Sequence, residues 1–439
     1  MPETTVSAPS QSGISLIESD REIAEYRLDC NGLKILLSEN HAAPVVTLMV
    51  LYRVGSRNEG AGFTGATHFL EHMMFKGTDE YNPEQGRGID DVLKPMGAAY
   101  NATTWFDRTN YFECVPSVHL EQCIAIEADR MRNLNLKQSD RDLEMTVVRN
   151  EFERSENEPD DVLDKEFWAI AFREHPYHWP TIGWKSEVEG VPISKLKDFY
   201  DTFYWPNNAV VLLVGDFETE PALSLIAKYF GKLTASPHPI PTVYTVEPPQ
   251  EGERRFEVSR AGDLPRVGIG FHTPQATHPD IYALSAMSAI LGGGRRSTRL
   301  YKRLVDTSMV SSVSAHLWEL YDPALFEVSA TVSPDAEPKE VEKIVLEEIN
   351  KLVKEPPTKE ELDRAKKANR KSTILQSADP LVWAQMIAEA EAAADWKWLL
   401  SYDDRFDEVT PADIQKVAAK YFARENRTVG YFIPKESDS

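Results

Sequence analysis

A helix–strand unit occurs twice in this chain, and the repeat constrains the fold more than any other feature. Ile193 to Tyr204 reads as a helix running through Asn207 and Asn208 into an apolar strand that ends at Gly215. Pro411 to Phe422 leads likewise through Asn426 into a strand over Thr428 to Phe432. Tyr204 and Phe422 are 218 residues apart, and so are Asn208 and Asn426. Early in each half a strand is followed by a helix, the strands being Pro44–Val54 and Pro265–Phe271. Between the halves a polar stretch carries Pro237, Pro239 and Pro241, then Pro248 and Pro249, which suits an interdomain linker. At 439 residues the chain is long enough for two proper cores. The expected division is a polar N-terminal segment over 1–28, a first domain over 29–234, a linker over 235–252 and a second, homologous domain over 253–439. Each domain is expected to be α+β, an antiparallel-rich mixed sheet with helices packed on one face.

Only the first half carries a metal motif, His68-Phe69-Leu70-Glu71-His72. Two histidines four residues apart share one face of a helix, and neutral imidazole is the commonest biological metal ligand. H-x-x-E-H is the inverted form of the zinc-peptidase motif H-E-x-x-H. A catalytic zinc needs three protein ligands and an open position, with a base beside the water it activates. His68 and His72 supply two ligands and Glu71 the base, so the third ligand must come from elsewhere. A glycine-containing turn over Gly62 to Thr67 precedes the motif, with Thr64 as the expected N-cap. Phe69, Leu70, Met73 and Met74 bury the helix, and Lys76-Gly77-Thr78 ends it. A buried helix bearing these polar groups needs them satisfied, and a metal does that. Downstream, Leu143 to Glu153 reads as a second helix, with Glu144 and Glu151 two turns apart on one face and Glu153 pointing away into solvent. The second half has no such motif; His272, His278 and His316 are scattered.

Gly-x-x-His-Phe-Leu-Glu-His-Met-x-Phe-Lys-Gly-Thr, starting at Gly65 and followed by the Glu144/Glu151 pair, resembles the pitrilysin/insulinase family of inverzincin zinc metallopeptidases. The branch it is most similar to contains the mitochondrial processing peptidase and its bacterial relatives. Gly55 to Glu59 precedes the motif as in that family. The resemblance implies Zn2+ as cofactor, Glu151 as third ligand and Glu144 as a supporting carboxylate beside the site. It implies that the β-branched and aromatic segment opening at Tyr100-Asn101-Ala102-Thr103 is a substrate-binding edge strand. Asn101 and Ala102 would lie along an extended peptide there. The loop from His175 to Gly183 is also similar to a family loop, and its histidines read as structural. Two such double domains would form a clam-like chamber, of which one chain supplies half. An arginine, and a tyrosine seven residues later, hold the substrate carbonyl in family members that work alone; Val305 and Ser312 occupy those positions here. The chain is therefore expected to be the zinc-bearing subunit of an endopeptidase for extended or unfolded peptides. A homologous partner would supply the arginine and tyrosine in a heterodimer, the homodimer being the other arrangement. The competing readings are a non-catalytic peptide-binding or scaffold subunit of the same fold, and a hydrolase of non-peptide substrates.

The net charge of −22, from 48 basic and 70 acidic residues, argues against nucleic-acid binding. It suits a soluble protein and would favour basic peptides. Cys30, Cys114 and Cys123 form no Cys-x-x-Cys pair and are expected to be reduced core residues. The first 28 residues lack a basic start and an apolar stretch, and no run reaches membrane-span length, so the expected compartment is the cytoplasm with no membrane insertion. Gly292-Gly293-Gly294-Arg295-Arg296-Ser297 lacks the Gly-Lys-Ser/Thr ending of a phosphate loop and follows a helix, so it reads as a turn.

Overall fold

The computed structural model describes residues 13–292 and 294–435. These form two compact units. The first takes the chain up to Arg149, with Thr181–Tyr244 and Gln376–Glu389; the second takes Asn150–Pro180, Thr245–Leu375 and Ala390 onward.

The first unit is built on β1 (Ile14–Asp20), β2 (Ile23–Leu28), β3 (Leu33–Glu39), β4 (Val45–Tyr52), β5 (Ala99–Thr104), β6 (Thr109–Pro116) and β7 (Ala209–Gly215). Their order is β1-β2-β3-β7-β4-β6-β5, and only β3 and β7 run parallel. Alternate residues of β3, β4 and β7, among them Ile35, Leu48, Val50 and Val211, meet Phe69, Ile124, Phe199 and Ile226 from helices on one face. β7 is buried along its whole length, which explains why it reads as a continuous apolar run rather than an alternation. At one end of the sheet β5 lies at the edge and pairs with β6 alone.

The second unit repeats this plan with β8 (Arg254–Ala261), β9 (Arg266–Thr273), β10 (Val310–Leu317), β11 (Ala324–Val332) and β12 (Arg427–Lys435). The order is β10-β11-β9-β12-β8, with β8 and β12 the parallel pair. Read from the other end, it matches β3-β7-β4-β6-β5 strand for strand, including the position of the parallel pair.

Three expectations change. Residues 14–28 are not a segment apart, because they form β1 and β2 and extend the first sheet; residues 1–12 lie outside the described residues. The boundary between Tyr244 and Thr245 falls in the expected linker, but the units are not colinear with the chain. Residues 150–180 join the second unit because the helix Pro159–Ala171 seats Phe167 on β9. Gly268 and Gly270 leave the space: a Cβ at Gly270 would stand 2.7 Å from the Phe167 ring. Residues 376–389 join the first unit by the corresponding device, where the helix Pro380–Ala393 brings Trp383 Nε1 to donate to Ser38 Oγ on β3 at 3.3 Å. Ser38 alternates with Ile35 and Leu37, so Trp383 covers the opposite face of the first sheet. Finally, Cys123 is buried, whereas Cys30 is exposed and not in the core. Among the described residues no helix is long and apolar enough to cross a membrane. Gly293, in the middle of the glycine turn, lies outside the described residues.

Candidate metal centre

The helix Ala66–Met73 presents His68, Glu71 and His72. Its N-cap is Gly65 at φ 81°, not Thr64. A side chain there would be excluded twice over, by the left-handed backbone and by Ile182 O, 2.3 Å from where a Cβ would stand. Thr64 braces the turn instead: its hydroxyl donates to Glu187 Oε2 at 2.7 Å and accepts from Trp184 N at 3.0 Å. The helix end is capped by a residue six positions before its N-cap. Buried Glu59 accepts the N–H groups of Gly65 and Thr67, each at 2.7 Å, satisfying donors that the first turn leaves unpaired. Burial pushes its carboxyl up to about 8 against the pull of those hydrogen bonds.

The helix Gln138–Ser155 supplies the other groups. Its residues Glu144 and Glu151 are two turns apart, as their spacing requires; Glu144 is buried and Glu151 exposed. One ligand atom each from His68, His72 and Glu151 lie within 4.8 Å of one another. The two imidazole rings stand edge to face with centroids 4.8 Å apart. Glu144 Oε1 faces His72 Nδ1 at 2.9 Å, and Lys76 Nζ pairs with Glu144 Oε2. Burial works against charge on Glu144, but the bonds to His72 and Lys76 outweigh it and hold the carboxyl below its ordinary range. A proton on His72 Nδ1 shared with that carboxylate leaves Nε2 as the lone pair for a metal. Two imidazoles and one carboxylate match a three-ligand zinc site with an open position, so the residues fit the ion.

Glu71 is 8% exposed and points off the same helix. Thr104 Oγ1, at the end of β5, donates to Glu71 Oε2 at 2.5 Å. Asn101 is exposed on the β5 edge and Ala102 is buried. The structure therefore gathers His68, His72 and Glu151, sets Glu144 behind His72, and leaves Glu153 exposed. His175 is buried and bonded to Asp322 at 3.0 Å, in keeping with a structural role. Thr104, Glu59 and the Lys76 pairing were not singled out from the sequence. A threonine in a threonine pair at a strand end, and a glutamate six residues before a glycine, carry no periodic signal that marks them.

Residues 34–184 match the family model for insulinase (peptidase family M16), and residues 191–369 match the peptidase M16 inactive domain. The zinc protease PqqE of Helicobacter pylori is 33% identical over 412 residues, spanning 92% of this chain and 91% of that protein. This chain belongs to the M16 peptidase family. A crystal structure of a protease from Helicobacter pylori superposes with a TM-score of 0.88 at 32% identity, covering 92% of this chain and 98% of that one. A probable mitochondrial-processing peptidase subunit beta of Arabidopsis thaliana is 26% identical over 70% of this chain and 59% of its own length. Membership carries zinc as the cofactor, which agrees with the donor set on the two helices.

Proposed function

We propose that this M16 chain is a zinc-dependent endopeptidase subunit that hydrolyses extended or unfolded peptides. The observation that carries the reading is the approach of His68, His72 and Glu151 donor atoms to within 4.8 Å, beside the buried Glu71. In this reading His68, His72 and Glu151 hold zinc, and Glu144 keeps His72 in the ligating tautomer. Zinc, when bound, supplies electrophilic activation of water and of the scissile carbonyl. Glu71 takes the proton of the attacking water and delivers it to the leaving amine. β5, at the sheet edge, would receive an extended peptide by strand addition, with Asn101 adding a side-chain contact. Acidic net charge favours basic peptides.

We further propose that a homologous partner chain completes the site. Val305 and Ser312 stand where the family resemblance leads one to expect the arginine and tyrosine, and neither can donate a charged hydrogen bond to a developing oxyanion. Loss of one such donor typically costs about a hundred- to a thousandfold. The test is peptide hydrolysis by the zinc-loaded chain alone and mixed with the homologue encoded beside it, with Glu71→Gln as control. Synergy abolished by Glu71→Gln supports the reading. Full activity in the isolated monomer removes the partner, and no hydrolysis in any mixture removes the peptidase.

A further inference from the structure

We infer that Thr104 is a positioning residue for the base, and that through it the peptide-receiving strand and the base share one anchor. The inference rests on the peptidase reading above. Glu71 sits on a helix, and a glutamate side chain has three rotatable bonds, so burial alone leaves the direction of its two oxygens open. Thr104 Oγ1 restricts that freedom by donating to Oε2 at 2.5 Å, which fixes the orientation of the carboxylate. Threonine suits the task because its branched Cβ restricts χ1, and a strand backbone restricts it further.

The strand end that carries Thr104 is itself clamped. Arg108 Nη1 donates to Thr103 O at 2.9 Å and to Thr103 Oγ1 at 2.6 Å, and Arg108 Nε donates to Glu389 Oε1 at 3.0 Å. On the other side of the turn, Ser56 N and Arg57 N donate to Trp105 O and Phe106 O at 3.0 and 2.9 Å. Gly55 permits that approach: a Cβ there would stand 2.3 Å from both carbonyl oxygens. The carbonyls flanking Thr104 are thus held from two directions, and its hydroxyl is aimed by fixed backbone. Thr104 follows Asn101 by three residues on the same strand, about 10 Å along the edge where the peptide would pair. A peptide seated in register on β5 is thereby set relative to Glu71 without touching it.

The test compares Thr104→Val, which keeps the shape and removes the donor, with Thr104→Ser, which keeps the donor. Zinc content should equal the parent in both. In Thr104→Val we expect kcat to fall about ten- to a hundredfold with KM nearly unchanged, and Thr104→Ser to recover most of the loss. A second readout is the affinity of the zinc-loaded protein for a peptide hydroxamate, which needs a hydrogen bond to a base placed like Glu71; Thr104→Val should weaken it by a similar factor and Thr104→Ser restore it. Parent-like kcat and hydroxamate affinity in Thr104→Val would overturn the inference, as would equal losses in Val and Ser. These kinetics are read with the homologous partner present; if the zinc-loaded parent cleaves no peptide even in that mixture, the peptidase reading fails, and the hydroxamate series still decides Thr104.

Discussion

The two sheets share a five-strand topology, yet among the described residues only the first is joined by a helix that brings two histidines to a metal-ligating group. In the first, the connection from β4 to β5 contains Ala66–Met73 with its two histidines and glutamate. In the second, the connection from β9 to β10 contains Ile281–Leu291, whose Ile281, Leu284, Met287 and Ile290 are all buried. One helix buries polar groups that must be satisfied by a metal, a carboxylate or a hydroxyl; the other simply fills a core. The edge strands differ in the same way. β5 ends on Thr104, bonded to Glu71, whereas Trp318, just past the end of β10, gives its Nε1 hydrogen to Glu327 of the neighbouring strand. The comparison teaches that topology supplies the platform and a handful of side chains supply the site.

Arg130 is fully buried, pairs with Glu127 and Glu113, and lies over Tyr111 at 4.5 Å and Phe75 at 5.2 Å. In the second unit Arg255, paired with Glu342, keeps its side chain 41% exposed.

The most severe way to erase the difference between the sheets is Glu71→Gln. The variant should keep its zinc and lose about a hundred- to ten-thousandfold in peptide cleavage, read as kcat/KM on a fluorogenic peptide. Near-parent cleavage would take Glu71 out of the mechanism. Next in size is the metal itself. Glu151→Gln should release zinc to a chelator far more readily than Glu144→Gln, for which an affinity loss of about ten- to a hundredfold is expected. Equal retention of metal by Glu151→Gln and the parent would show that the third ligand is another group.

Arg130→Met and Arg255→Met sharpen the contrast in stability. Removing Arg130 strands two buried carboxylates and should cost about 3–5 kcal/mol, whereas removing Arg255 leaves one, Glu342, to which Tyr431 still donates, and should cost less. Urea unfolding of both variants measures this, and similar losses would end the contrast between the two arginines. The smallest expected effect is in pH dependence. Burial raises Glu319 to about 7, from an ordinary value of 4.5, with Tyr402 OH donating to it at 2.5 Å. The folded state therefore binds this proton more tightly than the unfolded state. Its contribution to stability is full below pH 4.5 and is lost as pH rises through about 7. Glu59 in the first unit has the same sign, up to about pH 8. Glu319→Gln should flatten the fall in melting temperature between about pH 5 and about pH 8 without abolishing it, because Glu59 remains. An unchanged slope would remove Glu319 from the balance.

The sequence by itself determined the local and periodic features. The 218-residue spacing announced two copies of one plan, and the structure has two sheets of matching strand order. Four-residue and seven-residue spacings put His68 with His72 and Glu144 with Glu151 on single helix faces, because helix geometry is independent of what the helix packs against. Tertiary structure decided whatever depends on residues distant in the chain. Lys76 holding Glu144 and Thr104 holding Glu71 both require three-dimensional approach, and a lone polar residue carries no period from which to infer it. The assignment of Pro159–Ala171 to the second unit and of Gln376–Glu389 to the first was likewise hidden. A helix shows in sequence that it has an apolar face, but which sheet receives that face depends on a shape that only folding creates, such as the space Gly268 and Gly270 leave for Phe167.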